Sequence, residues 1–505
     1  MSEPIPSPPS YPIIGHAGTG VYDPVASAKS RRQLREKYGS IYRLNFFGRE
    51  IIFCSSQEIV NELCDESRFQ KEVAGGPLEE VRNGIHDGLF TAFGTEENWG
   101  IAHRVLLPGF GPAQIQGMFL AMLDINAQLL LKWERFGPDH VITPTEDFTR
   151  LAFDTIALSM MSHRFNSFYM EEMPPFCQAM TRFLIESGVR NQRPSMIQNL
   201  MRAENAQYEA DIKFMADVCD QRKHSREKRG KSLMVLVVVQ NRKSHPTSKK
   251  DLLTLMLEGR DPKTGRGMSE ANIRNNLITM LIAGHETTSG LLSYTLFHLL
   301  SNPSTYSKLQ AEVDAIVGKD ALQLAHVPKL EYTQAVLRES IRLNPPAGMI
   351  SVSPVEDTVI AGKYAVKKGA MLAVDIAGLH RDPAAWGDDV EEFKPERMMS
   401  PHFEALPVIF LVCVPPDRHL RGFSFQPNCW KPFGNGSRGC IGRPLAWQES
   451  VMMLATLFQH FDIKFDDPSY KLRVKQTLTT KPEGFQIRTI PRKDAPPIVG
   501  AGVVA

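Results

Sequence analysis

The stretch NNLITMLIAGHETTSGLLSYTLFHLL, Asn275 to Leu300, limits what the chain can fold into more than any other part of it. It is long and apolar enough for a helix that is hydrophobic on every side, and such a helix is buried either in a large core or in lipid. His285, Glu286, Thr287 and Thr288 sit at its middle and exclude a membrane span, because ionisable groups at that depth are too costly. Inside a core the same carboxylate and hydroxyls must be satisfied. Gly284, just before them, lets another group approach the backbone closely, and a threonine can divert the hydrogen-bond ladder and open a local kink or groove. The segment therefore reads in two ways. It is a helix with a polar patch turned to solvent, or Glu286 and Thr287 form an acid–alcohol pair lining a small cavity where protons are delivered.

A chain of 505 residues that is 42% hydrophobic and 23% charged can bury such a helix. Its 58 basic and 56 acidic residues nearly balance, so no global field points to nucleic acid. The seven cysteines are odd in number and contain no CxxC, which argues for a reducing compartment rather than a disulfide framework. The N-terminus, MSEPIPSPPSYPIIGH, has neither the apolar stretch of a signal peptide nor that of an anchor, so the expectation is a soluble, cytoplasmic chain with no membrane span. Two β-rich runs, IYRLNFF and EIIFCSS, flank Gly48-Arg49, and glycine first in a two-residue loop suits a type II′ hairpin. From about residue 55 apolar residues recur at helical spacing, as in ENWGIAHRVLLPGF, FLAMLDINAQLLLKWERF and EDFTRLAFDTIALSMM. After Pro345 short β-like runs follow (MISVSP, DTVIAGKYAV, AMLAVDI), then a helix at RPLAWQESVMMLATLFQHF. The fold class is mainly α with a small β subdomain. The tail from Pro491 is expected to fray.

Three further stretches carry chemistry. LRESIRLNPP puts Glu339 and Arg342 on one helix face, where they can form a charge-assisted pair, and EEFKPERMM adds Arg397 after a proline. KPFGNGSRGCIG encloses Cys440 among glycines 434, 436, 439 and 442, behind Phe433 and Arg438. A thiolate needs donors and a positive environment, and here Arg438 precedes it while Gly442 and Pro444 open a helix whose N-terminus favours negative charge. Phe433 would wall off water. Without a second cysteine or clustered histidine for zinc, the loop suits a single metal-bound thiolate; the plainer alternative is a free cysteine buried in a turn.

The order AGHETT, ESIR, FKPERM, FGNGSRGCIG resembles the motif series of the cytochrome P-450 haem-thiolate monooxygenases over nearly the whole chain. CDESRFQK, DGLFTAFGTEENW, RFNSFY, LHRDPAAWGDDVEEFKPERM and TLTTKPEGF are most similar to the soluble fatty-acid hydroxylases whose haem domain is fused to a flavin reductase. The resemblance implies the cytochrome P-450 fold over residues 1–490, followed by a tail at 491–505. It implies haem b with Cys440 as axial ligand, in a loop shaped by Gly434 and Gly442 and walled by Phe433. Lys71, Trp99, His103 and Arg438 would meet the haem propionates, Thr287 and Glu286 would deliver protons to bound O2, and Glu339, Arg342 and Arg397 would form a structural triad. Toward substrate it implies Phe90 and Ala283 near the reacting end of a fatty acid, and Arg49 at its carboxylate. Phe53 stands where better-known relatives place a tyrosine hydroxyl beside that arginine, so carboxylate capture is expected to be weaker.

The implied activity is hydroxylation of a fatty acid or related lipophilic substrate at subterminal carbons, using O2 and electrons from a separate NADPH-dependent flavoprotein reductase, unless the chain is a truncated fusion. Other readings are a haem-thiolate peroxygenase or isomerase, and a non-catalytic haem-binding or haem-poor protein. Two stretches look inserted: 222–237, where RKHSREKRGK joins an apolar run, and 408–426. The basic run also resembles a nucleic-acid patch, but a single surface run is more often a loop, and no nucleic-acid partner is expected. Val408 to Gln426 begins with a residue whose codons start GT and ends with one whose codon can end AG, so it reads as a translated intron. The mature transcript is expected to lack these codons; a sequenced message that still encodes them overturns that reading.

Overall fold

The structure, a computed structural model, describes residues 3–23, 26–191, 193–220, 242, 251–406 and 429–500. The stretches 222–237 and 408–426 lie outside the described residues. The chain forms two compact units: Met1–Glu72 with Ser301–Leu309 and Glu331–Cys440, and Val73–Leu300 with Gln310–Leu330 and Ile441–Ala505.

The first unit is built on a five-stranded sheet. Its strands are β1 (Ile41–Phe46), β2 (Arg49–Cys54), β3 (Phe69–Lys71), β4 (Met349–Pro354) and, past the small hairpin of β5 (Thr358–Ile360) and β6 (Tyr364–Val366), β7 (Met371–Asp375). Their order is β1-β2-β7-β4-β3, with β2 and β7 parallel and the other pairs antiparallel. Alternate residues of one strand point to opposite faces. Thus Ile52, Cys54, Leu372 and Val374 enter one apolar cluster with Ile59, Leu63 and Phe69, while Tyr42, Leu44, Phe53 and Ala373 enter another with Leu34. Strand β7 lies in the middle and is buried throughout, which is why MLAVD is an unbroken apolar run up to its last residue.

The β1–β2 hairpin corrects the expected turn. Phe46 pairs with Arg49, so the loop residues are Phe47 and Gly48, with φ of +53° and +85°. Two positive φ values make a type I′ turn with glycine second, and Arg49 is the first residue of β2. Asn45 Oδ1 accepts the Gly48 N–H at 2.9 Å and fixes this register.

The second unit is helical, with two small β pairs: β8 (Phe461–Phe465) with β11 (Ile487–Pro491), and β9 (Val474–Gln476) with β10 (Thr480–Pro482). Its long helix runs Glu270–Ser301 and is buried on nearly every side. Five hydroxyls are satisfied there by turning back onto their own helix: Thr279, Thr287, Ser289, Ser293 and Thr295 donate to the carbonyls four residues earlier, at 2.6–2.8 Å. The helix Arg443–His460 is also buried along most of its length. The described part of the tail makes contacts: the Arg492 N–H donates to the His460 carbonyl, its guanidinium pairs with Asp314, and residues 496–499 line a hollow with Leu123 and Leu130. Among the described residues no helix is long and apolar enough to cross a membrane.

Gly284 sets how closely the long helix meets the helix Pro144–Met161. A Cβ there would fall 1.9 Å from Ile156 Cδ1, and Ile156 is buried. Gly284→Ala is expected to cost about 1–3 kcal/mol from overpacking, against about 1 kcal/mol gained by replacing glycine within a helix. Ile156→Val deletes the clashing methyl, so the alanine should be tolerated in the double variant. A double-mutant cycle by denaturant unfolding reads the coupling; additive costs would refute the contact.

Candidate active site

Each unit carries its own group of chemically significant side chains. In the first, the helix Glu331–Leu343 places Glu339 and Arg342 three residues apart, both at 0% exposure. Arg342 Nε and Nη2 donate to the Glu339 carboxylate at 2.7 and 2.8 Å, and the remaining N–H groups reach the carbonyls of His380, Val390 and Glu392. Arg397 Nε joins at 3.1 Å to Glu339 Oε1, and its Nη1 lies 3.0 Å from Asp389 Oδ1. The structure thus brings Glu339, Arg342 and Arg397 together.

His380, fully buried, extends this network. Its Nδ1 lies 3.0 Å from the Arg342 carbonyl, which can only accept, and its Nε2 receives the backbone N–H of Lys431 at 3.0 Å. These partners fix a neutral ring protonated on Nδ1. Burial, and then the Arg342 cation, push its pKa down to about 3. Lys431 begins the cysteine loop. Within that loop Lys431 Nζ donates to Asn435 Oδ1 at 2.6 Å, Asn435 reaches the Cys64 carbonyl, and Ser437 N–H and Oγ both donate to Glu66 at 2.7 Å. Gly434 and Gly436 adopt φ of +78° and +59°, which favour glycine, and a Cβ on Gly436 would lie 2.4 Å from the Glu66 carboxylate. The Cys440 N–H donates to the Phe433 carbonyl at 2.7 Å, closing the loop with the Cys440 residue exposed. Phe433 packs against the buried Trp430 at 6.0 Å.

Lys71 ends β3 and has Arg438 as a like-charged neighbour; burial first, and then that guanidinium, push its pKa down to about 7. Crowded cations of this kind favour an anion beside them. Arg49 is exposed at the start of β2, with Ile51 and Phe53 following on the same face. Phe53 is buried and stacks on Tyr42 at 5.1 Å; half-buried Phe46, Ile51, Tyr22 and Met349 also pack against this apolar face.

In the second unit the long helix has one notch: Ala283 is exposed and Gly284 and Thr287 are partly so, in the middle of an otherwise buried rod. Thr287 Oγ1 donates to the Ala283 carbonyl at 2.8 Å. The Glu286 carboxylate goes elsewhere, to Lys481 Nζ at 3.1 Å and Thr479 Oγ1 at 3.0 Å. Burial works to raise its pKa and is outweighed by Lys481 and His285, which hold it well below the usual carboxylate range. Trp99 and His103 stack at 5.0 Å on one face of the helix Glu97–Leu106, half-buried. Phe90, half-buried, follows a loop stitched to the long helix: Asn275 and Asn272 donate to Asp87, and Asn276 accepts the Leu89 N–H.

Sequence reading missed His380, Lys481 and these asparagines. LHRDPAAWG and TLTTKPEGF were conspicuous as strings only, and NIRNNL places three amides on one side of an apolar helix, a signal that could have been read.

The first unit suits haem: it offers a thiol in a braced loop and crowded cations for carboxylates. The second unit, taken by itself, offers two stacked rings bearing N–H donors and an exposed notch with one hydroxyl. Comparison with known proteins agrees. The cytochrome P450 family matches residues 5–489. The chain is 46% identical over 500 residues to a self-sufficient cytochrome P450 monooxygenase of Phanerodontia chrysosporium, covering 99% of this chain and 44% of that protein. It is 46% identical over 497 residues to a bifunctional cytochrome P450/NADPH–P450 reductase of Fusarium oxysporum (98% and 43% covered), and 45% over 497 residues to one of Aspergillus oryzae (97% and 42%). The chain therefore spans less than half the length of these relatives. Members of the family hold a haem through a cysteine thiolate. By its match from end to end and by the residues it brings together, the chain belongs to the cytochrome P450 family.

Proposed function

We propose that this chain is the haem part of a monooxygenase that hydroxylates fatty acids or related long-chain substrates at subterminal carbons. Its electrons would come from an NADPH-dependent flavoprotein reductase of the class named in its relatives. The observation that carries the reading is the cysteine loop, hung from a buried arginine network through His380 and presenting one exposed cysteine. Cys440 would be the axial ligand, with Phe433, Gly434 and Gly442 shaping its loop and Lys71, Arg438, Trp99 and His103 meeting the propionates. Haem bound there supplies the activation of O2 and the oxidising power.

The chain's own residues do the rest. An apolar sheet face behind the exposed Arg49 suits an alkyl chain ending in a carboxylate, and it carries Phe53 in place of a second polar group. Phe90 and Ala283 would border the carbons to be oxidised. Thr287 would handle protons at the notch.

In the reduced carbon-monoxide difference spectrum the parent should give the strongly red-shifted Soret band of a thiolate-ligated haem, and Cys440→Ala should abolish it; a band that survives the substitution overturns the ligand assignment. Arg49→Ala should raise the apparent Kd for a fatty acid about three- to tenfold, worth about 0.6–1.4 kcal/mol, and leave that of the matching alcohol unchanged, read as the spin-state shift on titration. Equal losses for acid and alcohol would remove Arg49 from carboxylate recognition. Thr287→Ala should keep haem and divert reducing equivalents to peroxide; hydroxylation as efficient as in the parent would remove Thr287 from proton delivery.

A further inference from the structure

One face of the five-stranded sheet, within the first unit, is apolar along its middle and charged at both ends. Tyr42, Leu44 and Phe46 of β1, Ile51 and Phe53 of β2 and Ala373 of β7 make up the middle. Arg49 stands at one end, paired across the hairpin with Phe46. At the other end, beyond Ala373 on the same face, is Asp375, paired with Met349 of β4. Phe53 lies four residues along β2 from Arg49 and pairs with Ala373, and Asp375 lies two residues further, so the ends are about 20 Å apart.

The helix Ser27–Tyr38 buries Ser27, Arg31 and Leu34. Leu34 joins the apolar cluster, while Arg31, one turn earlier, brings a charge to the same side. Arg31 Nε donates to Asp375 Oδ1 at 3.2 Å and Nη1 donates to Ser27 Oγ at 2.9 Å, and both charged side chains are 4% exposed. Among the described residues the Arg31 hydrogen bonds use Nε and Nη1 alone, which leaves Nη2 as an uncommitted donor beside Gly348. Both charges stand where the local pattern calls for an apolar residue: the buried side of an amphipathic helix, and the last position of MLAVD. A buried ion pair seldom stabilises a fold more than two apolar residues would, so stability does not account for it.

The neighbouring phenol does. Tyr42 is buried, its ring stacks on Phe53, and its hydroxyl has no hydrogen-bond partner among the described residues. Burial, and then the Asp375 carboxylate, keep that phenol neutral, so it can both donate and accept. An orphan hydroxyl at this depth is costly unless something meets it.

We propose that Arg31, Asp375 and Tyr42 form a second polar subsite on this sheet face, which receives the uncharged hydroxyl of a long-chain substrate, as Arg49 receives a carboxylate. The proposal rests on the reading of this face as the bed of the alkyl chain. Arg31 Nη2 donates to the hydroxyl oxygen, and Tyr42 gives or takes the second hydrogen bond. Asp375 sets the preference, because it neutralises Arg31 and repels a carboxylate. Arg35, 3.6 Å from Asp375 Oδ2, is shared with Glu391 and leaves that balance in place. Half-buried Tyr22 and Met349 pack against the face, and a methionine repacks readily to admit a chain end. β1 thus offers at Tyr42 the phenol that β2 lacks at Phe53.

The test titrates the haem-loaded protein with a fatty acid, the 1-alkanol and the alkane of equal chain length, and reads the spin-state shift. Tyr42→Phe removes only the orphan hydroxyl, so stability to denaturant should hold or rise. Its apparent Kd for the alkanol should rise about three- to tenfold, the worth of one neutral hydrogen bond, with acid and alkane unchanged. Arg31→Leu combined with Asp375→Leu replaces the pair by apolar residues, a change that buried pairs commonly tolerate. This double variant should weaken the alkanol by about tenfold and tighten the alkane; where it fails to fold, Tyr42→Phe decides alone. If the parent binds the acid but not the alkanol, the subsite is overturned. It is overturned equally if the variants bind the alkanol as the parent does, the Tyr42 hydroxyl then meeting water only, or if alkanol and alkane weaken alike. If none of the three ligands moves the spin state of the parent, it is the proposed function that fails.

Discussion

Arg342 is fully buried with all five guanidinium N–H groups directed at oxygen, and the cysteine loop hangs from it. Removing such a charge from water costs several kcal/mol, and a bare ion pair seldom repays that in stability. What the pair supplies here is position. Glu339 uses one carboxylate to hold Arg342, Arg397 and the Lys394 N–H together, so two distant segments of the first unit meet at one point. His380 then carries the placement onward, taking its direction from the Arg342 carbonyl and giving it to the Lys431 N–H. Its pKa is depressed, so the neutral ring is favoured and its contribution is present above the ordinary histidine value. That contribution declines as pH falls below the ordinary histidine value and is gone by about pH 3.

What could be read from the letters divides by the range of the interactions. The long helix, the Glu339–Arg342 pair and the central strand β7 are each set by local pattern: an unbroken apolar run, a three-residue spacing, a run without alternation. The hairpin turn failed by one residue. Glycine fits the first position of one turn type and the second of another, and only the pairing of Phe46 with Arg49 decides. Lys481 and His380 were illegible for a different reason. Each matters through a partner about two hundred or fewer residues away in sequence, Glu286 for one and Lys431 for the other, and no spacing rule reports a contact closed by tertiary folding. Gly284 lies between these cases: its need for a close neighbour was legible, and the neighbour, Ile156, was not.

The long helix shows why its acid and its alcohol can be adjacent in sequence and separate in chemistry. Successive residues of a helix diverge by about 100°, so Glu286 and Thr287 cannot face the same space. Ala283 and Thr287, four apart, share the notch, while Glu286 reaches the hairpin carrying Thr479 and Lys481. A motif read as a pair is thus two stations on neighbouring faces. The carboxylate is held by a lysine almost two hundred residues further along the chain, so its placement is set by tertiary folding and not by the helix alone.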